Sequence, residues 1–274
     1  MADLTGKVVV ITGGSSGIGA AAASALREMG ATVAITGRSA ETARIAQAIG
    51  CDSFLADFTR FRDVRSLAAQ LIAKYPRIDV LANNVGGIVA KRQLTEDGHE
   101  KTLQVNHLSP FLLTLLLRER LEASGATVIN TSSGAHYMGH VDLDDLESSR
   151  RYGGWRAYGT AKLMNILHAS EINGRLRGVR AASFHPGVVA TGFAREGSAA
   201  IRFWYSSSIG RLFMIAPEKG AQTLVWLAST QPGVDWQPGG YYMKKKPAHT
   251  KQEARDAELA AKLWDASERL VAKS

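Results

Sequence analysis

Short aliphatic and β-branched runs recur along the chain, each followed by a longer stretch whose apolar positions return every three or four residues. The runs at 7–12, 32–36, 53–56, 79–82, 127–131, 179–184 and 240–243 read as strands. The stretches at 17–29, 39–48, 63–74, 97–122, 156–176 and 217–229 read as helices. Several strands, Val8-Val9-Val10-Ile11 among them, are apolar at every position, as strands covered on both faces must be. Strand and helix alternating in this way predict one α/β domain over 1–274, with a doubly wound, mainly parallel sheet of seven strands and helices on both faces.

Two segments lie outside the alternation. Residues 190–216 carry Phe193, Phe203, Trp204, Tyr205 and Phe213 without a clean period, directly after a strand end, where open α/β sheets bind ligands. They are a candidate substrate loop or lid, with core packing of the rings as an equal alternative. Residues 250–272 place Leu259, Leu263, Ala266 and Leu270 at helical spacing; this C-terminal helix is expected to pack on its own chain, a partner surface being the other reading.

Composition adds exclusions. The chain has 274 residues, 45% hydrophobic, and a single cysteine, which rules out an intrachain disulfide and disfavours a thiolate metal site. The apolar run begins too early for a secretory signal, and Phe111 to Leu117 is too short to span a bilayer, so a cytoplasmic protein without a transmembrane segment is expected. The net charge of +8 is spread along the chain and accompanies no nucleic-acid-binding motif, so a solvated surface is expected, a surface for a polyanion or an anionic membrane being the other reading. Asp142, Asp144 and Asp145 lack further metal ligands and read as a solvated loop.

The first strand runs into Thr12-Gly13-Gly14-Ser15-Ser16-Gly17-Ile18-Gly19 and then an alanine-rich helix. Glycines between a strand and a helix permit a tight turn and close approach of the backbone to a pyrophosphate, which the helix N-terminus attracts. The next strand ends Thr36-Gly37-Arg38-Ser39, with no carboxylate before Glu41. A site for NAD usually presents an acid there to a ribose 2′-hydroxyl. Arg38, helped by Ser39, suits the 2′-phosphate of NADP(H) instead, the alternative being an exposed arginine beside an NAD site. Farther along, Tyr158-Gly159-Thr160-Ala161-Lys162 sets a phenol and an ammonium four residues apart on one helix face. An ammonium favours the phenolate, bringing a tyrosine closer to acid–base work near neutral pH.

Across almost its whole length the chain resembles the short-chain dehydrogenase/reductase family. The landmarks fall in order: the glycine loop, Asp57, Asn83-Asn84-Val85-Gly86, Asn106, Ser132-Ser133, Tyr158 with Lys162, and Pro186-Gly187. The resemblance implies a Rossmann-like fold and an NADP(H)-dependent interconversion of a carbonyl and an alcohol. It makes Asn106, Ser133, Tyr158 and Lys162 the catalytic set. Tyr158 would exchange the proton, Lys162 would hold the nicotinamide ribose, Ser133 would orient the carbonyl, and Asn106 would kink its helix and hold a water. The cofactor would meet Gly13, Ser15, Ser16, Gly17, Ile18, Gly19, Arg38, Ser39, Asp57, Asn84 and Gly86. Tyr158, Lys162, Pro186, Gly187, Val188 and Thr191 would border the nicotinamide side. Asn106 as a helix cap and Ser133 as a plain loop hydroxyl are the simpler readings.

Val85 replaces the usual alanine of its motif, and the 25 positions from Ser133 to Tyr158 are about double the usual interval. The longer interval, with Val105-Asn106-His107-Leu108-Ser109-Pro110-Phe111 and Ser133-Gly134-Ala135-His136, is similar to retinol-dehydrogenase-like members and to ketoreductases of lipophilic or polycyclic carbonyls. Family members often pair, so a homodimer or homotetramer is possible, although the longer segment stands near the usual pairing helices. His107, His136 and His185 are read as packing and turn residues. A noncatalytic NADP(H) sensor on the same fold is the alternative function, disfavoured because the tyrosine and lysine are kept. A light-dependent pigment reductase would need cysteines near the substrate, and Cys51 lies far upstream.

Overall fold

The computed structural model describes residues 2–189 and 215–272. Its strands are β1 (Val8–Ile11), β2 (Thr32–Gly37), β3 (Asp52–Leu55), β4 (Val80–Asn83), β5 (Thr127–Thr131), β6 (Arg180–His185), β7 (Tyr241–Met243) and β8 (Lys246–Pro247). They form one sheet in the order β3-β2-β1-β4-β5-β6-β7-β8. All pairings are parallel except β7 with β8. The sheet thus has eight strands where the hydrophobic pattern predicts seven. The extra one is two residues long and polar, too short to register as an apolar run.

Side chains along β1 divide the core. Val8 and Val10 join the cluster under α3 (Phe61–Lys74), α5 (Ser109–Leu116) and α7 (Gly154–Arg175). Val9 and Ile11 join the opposite cluster, under α1 (Gly17–Glu28) and α8 (Pro217–Ser229). Period-two alternation of apolar residues on both faces is what a sheet sandwiched between helix layers demands. α2 (Glu41–Ile49) follows β2.

The predicted helix over 97–122 is broken into pieces: α4 (Lys101–Leu103), a π-helix at Gln104–Leu108, α5, and α6 (Arg118–Ser124). The cause of the first break is Pro110. It has no N–H to offer the Asn106 carbonyl four residues back, and its ring crowds that carbonyl. The chain widens there, and the Ser109 N–H bonds the Gln104 oxygen five residues back.

The C-terminal segment forms a 3₁₀ turn at Gln252–Arg255 and α9 (Ala257–Ala272), which lies on α7 and α5. Trp264 packs edge-on against Phe111 at 4.9 Å, and Ser267 bonds His107 Nε2 at 2.9 Å. Leu263, Trp264 and Ala266 are buried. No helix among the described residues is long and apolar enough to cross a membrane.

Candidate active site

In this strand order β1 and β4 are neighbours whose following connections leave toward opposite edges, opening a crevice beyond their C-terminal ends. A cavity of about 570 Å³ fills it and continues past β5 and β6. One end is made by the glycine loop between β1 and α1, the other by α7 and the turns after β5 and β6.

The glycine-loop end is shaped by missing side chains. A Cβ on Gly14 would lie 2.5 Å from Ile35 Cβ, and one on Gly19 would collide with the Gly13 carbonyl and the Asn84 amide. α1 opens without a side-chain cap or an acid in its first turn, so its first N–H groups and positive dipole end remain for an anion. Asn84 holds this loop: its Nδ2 donates to the Thr12 oxygen at 3.0 Å and its Oδ1 accepts from Thr131. These features fit the pyrophosphate of a dinucleotide. Asp57 accepts from the backbone and hydroxyl of Thr59 at 2.9 and 2.8 Å, while its neighbours line the same crevice.

At the end beside α7, Ser132 and Ser133 separate clearly. Ser132 is buried and donates to the Lys162 carbonyl at 2.7 Å, tying β5 to α7. Ser133 caps the 3₁₀ turn Gly134–Met138 by accepting from the Ala135 N–H at 3.2 Å, and its residue lines the cavity. Tyr158 is 6% exposed, with the Lys162 ammonium 5.4 Å from its ring centre. That ammonium is fully buried and donates to the Thr131 carbonyl at 3.1 Å. Burial pushes it down to about 7. A site with this much desolvated charge suits the hydroxyls of a bound ribose.

Asn106 lies in the π-helix. Its Nδ2 donates to the oxygens of Gly87 at 2.8 Å and Thr102 at 2.9 Å, while its Oδ1 accepts from the Gly87 N–H. Gly86 packs close beside it: a Cβ there would come within 2.6 Å of Asn106 Oδ1 and 2.9 Å of Lys162 Nζ, so both side-chain ends would have to shift.

Of the residues singled out in the sequence, Gly13, Ser15, Ser16, Ile18, Arg38, Asp57, Asn84, Gly86, Asn106, Ser133, Tyr158, Lys162, Pro186, Gly187 and Val188 line this one cavity. Gly17, Gly19 and Ser39 stand outside its lining. Gly17 takes φ +54° where α1 begins, and Gly19 lets α1 press on the loop. Ser39 accepts the Thr42 N–H at the start of α2. Thr191 and most of 190–216 lie outside the described residues.

Other residues also line the cavity: Trp155 and Met138, which the sequence did not single out, and His185, read there as a turn residue. The glycine pair that seats Tyr158 was not singled out either. A Cβ on Gly159 would come within 2.5 Å of the Ala135 oxygen, and one on Gly139 would collide with Gly159. Glycines at both positions let the 134–138 turn lie directly on α7. A glycine beside the candidate tyrosine was the available signal.

The model of the short chain dehydrogenase family matches residues 7–201. The protein belongs to that family. A Streptomyces (strain C5) protein named as a daunorubicin C-13 ketoreductase is 45% identical, over 96% of this chain and 92% of its own. Human retinol dehydrogenase 13 is 35% identical, over 98% of this chain and 86% of its own. A solved structure of an uncharacterised Mycobacterium paratuberculosis protein superposes with a TM-score of 0.78 at 30% identity, covering 99% of this chain and 96% of the other. The chain is therefore a short-chain oxidoreductase of the retinol-dehydrogenase-like and ketoreductase branch, and carbonyl–alcohol interconversion is its chemistry.

Proposed function

We propose that this oxidoreductase is an NADP(H)-dependent reductase of lipophilic ketones or aldehydes. The observation that carries the reading is a single cavity lined at one end by Arg38 and the glycine loop and at the other by Ser133, Tyr158 and Lys162. Arg38 follows β2, where an acid would bind a ribose diol, and a guanidinium there matches a 2′-phosphate. The dinucleotide, when bound, supplies the hydride.

The side chains do the rest. Tyr158 gives its phenolic proton to the carbonyl oxygen, and the Ser133 hydroxyl donates a hydrogen bond to the same oxygen as charge gathers on it. Lys162, as ammonium, draws the phenol toward its ionised form and grips the ribose. Asn106 braces Gly87, and with it the floor of the cavity between Gly86 and Lys162. Met138, Trp155 and Val188 line the cavity and are 55%, 42% and 43% exposed. An apolar rim of this kind favours a substrate that leaves water readily.

The test is nicotinamide oxidation with NADPH or NADH across aliphatic, aromatic, retinoid and polycyclic carbonyls. Turnover is expected with NADPH at least tenfold above NADH, and highest on the larger apolar substrates. Equal use of NADH would overturn the cofactor assignment, and tight NADPH binding without turnover of any carbonyl would overturn the reductase.

A further inference from the structure

The residue after Phe184 plays no part in the chemistry above, yet it faces the same cavity. Phe184 pairs with Thr131 across β5 and β6, and the Ser132 N–H donates to the Phe184 carbonyl at 2.8 Å. Register therefore sets His185, the last residue of β6, beside Ser132, just past the end of β5. Its ring lines the cavity. A methyl group at position 134 would rest 3.6 Å from His185 Nε2; glycine there leaves that edge of the ring open.

The other ring nitrogen has a defined partner. The Gly187 N–H points at His185 Nδ1 at 3.4 Å, a long hydrogen bond in which Nδ1 accepts. A neutral imidazole that accepts at Nδ1 carries its proton at Nε2. Burial, with His136 as a lesser influence, pushes His185 down to about 4, so the ring is neutral throughout the physiological range.

We infer that His185 is a specificity-determining residue: its Nε2–H donates a hydrogen bond to a second oxygen of the substrate, close to the carbonyl that Ser133 and Tyr158 hold. The substrate class is then a lipophilic ketone bearing a hydroxyl or oxo group near the reacting carbonyl, rather than a plain alkyl or aryl ketone. Sites built to pair a substrate oxygen discriminate against analogues that lack it, because their polar group is left unmatched. This assignment rests on the reductase reading.

The test compares 2-hydroxyacetophenone with propiophenone, which have the same number of heavy atoms and differ in one hydroxyl, using NADPH as reductant. His185→Phe is expected to lower kcat/KM for the hydroxy ketone about tenfold or more and for propiophenone less than threefold. His185→Gln restores a nitrogen donor near Nε2 and should recover most of the preference. His185→Asn has too short a side chain to do so, and serves if the Phe variant does not fold. NADPH affinity should stay within twofold in every folded variant. Equal losses on both ketones, or a preference unchanged in all variants, would overturn the inference and leave His185 as a support for the Gly187 turn. Failure of the unaltered protein to reduce either ketone, or any other carbonyl, would overturn the reductase reading and this inference with it.

Discussion

The two ends of the cavity are built by opposite means. At the cofactor end, shape comes from what is absent: Gly14 and Gly19 let strand and helix meet the loop at distances no Cβ would permit, and Gly13 takes a left-handed φ of +67°. At the catalytic end, shape comes from buried polar side chains. Lys162 and Asn165 share the Thr131 carbonyl, Ser132 bonds the Lys162 carbonyl, and Asn130 bonds the Asn165 carbonyl and His168. Four imidazoles on that side, His107, His136, His168 and His185, are held below their ordinary pKa by burial. One end should therefore be sensitive to added volume and the other to lost hydrogen bonds and to acid.

The largest expected effect falls at the catalytic end. Tyr158→Phe should cut kcat/KM by about 10³ while leaving NADPH affinity, read by its fluorescence, within a factor of two; retained turnover would break the division of labour. Acid comes next. A histidine whose folded pKa lies below its unfolded value stabilises the protein fully above pH 6.5, and loses that contribution as pH falls toward the folded value. For His107 and His185, both pushed down to about 4, this amounts to roughly 3 kcal/mol each. Denaturant titrations at pH 7.5, 5.5 and 4.5 should show stability falling steeply between the last two, and hydrogen exchange should open around α7 and β5 before the glycine loop. At the other end, Arg38→Ala should weaken NADPH about thirtyfold, the equivalent of one charge-assisted contact of about 2 kcal/mol, and leave NADH unchanged. The smallest is Gly19→Ala, where the displaced α1 should weaken both dinucleotides about tenfold with catalysis on bound NADPH preserved, as single-turnover rates would reveal.

The same contrast governs how far the sequence could be read. Seven of the eight strands and most helices were visible because apolar runs and helical periods are local, and the glycine loop and Tyr158–Lys162 are local motifs as well. The kink that the resemblance implies at Asn106 falls within the π-helix Gln104–Leu108, whereas the division of the stretch into separate helices was hidden by the strong leucine pattern around Pro110. The Gly139–Gly159 contact and the presence of Trp155 in the cavity depend on segments that meet only in the folded chain. His185 illustrates the limit: its place beside a proline explains a turn, whereas its place in the cavity depends on the register of β6 against β5. The choice between Ser132 and Ser133 becomes physical only when the first is seen bonded to the Lys162 carbonyl.

The two-residue β8 has a consequence for how copies of this protein meet. A parallel sheet ending at β7 would present a row of unpaired amides to solvent, a template onto which another chain could add. The hairpin through Lys244 and Lys245 folds Lys246 and Pro247 over that margin, putting a ring without an N–H and a crowd of positive charge where a foreign strand would dock. Growth of the sheet from molecule to molecule is opposed on that side.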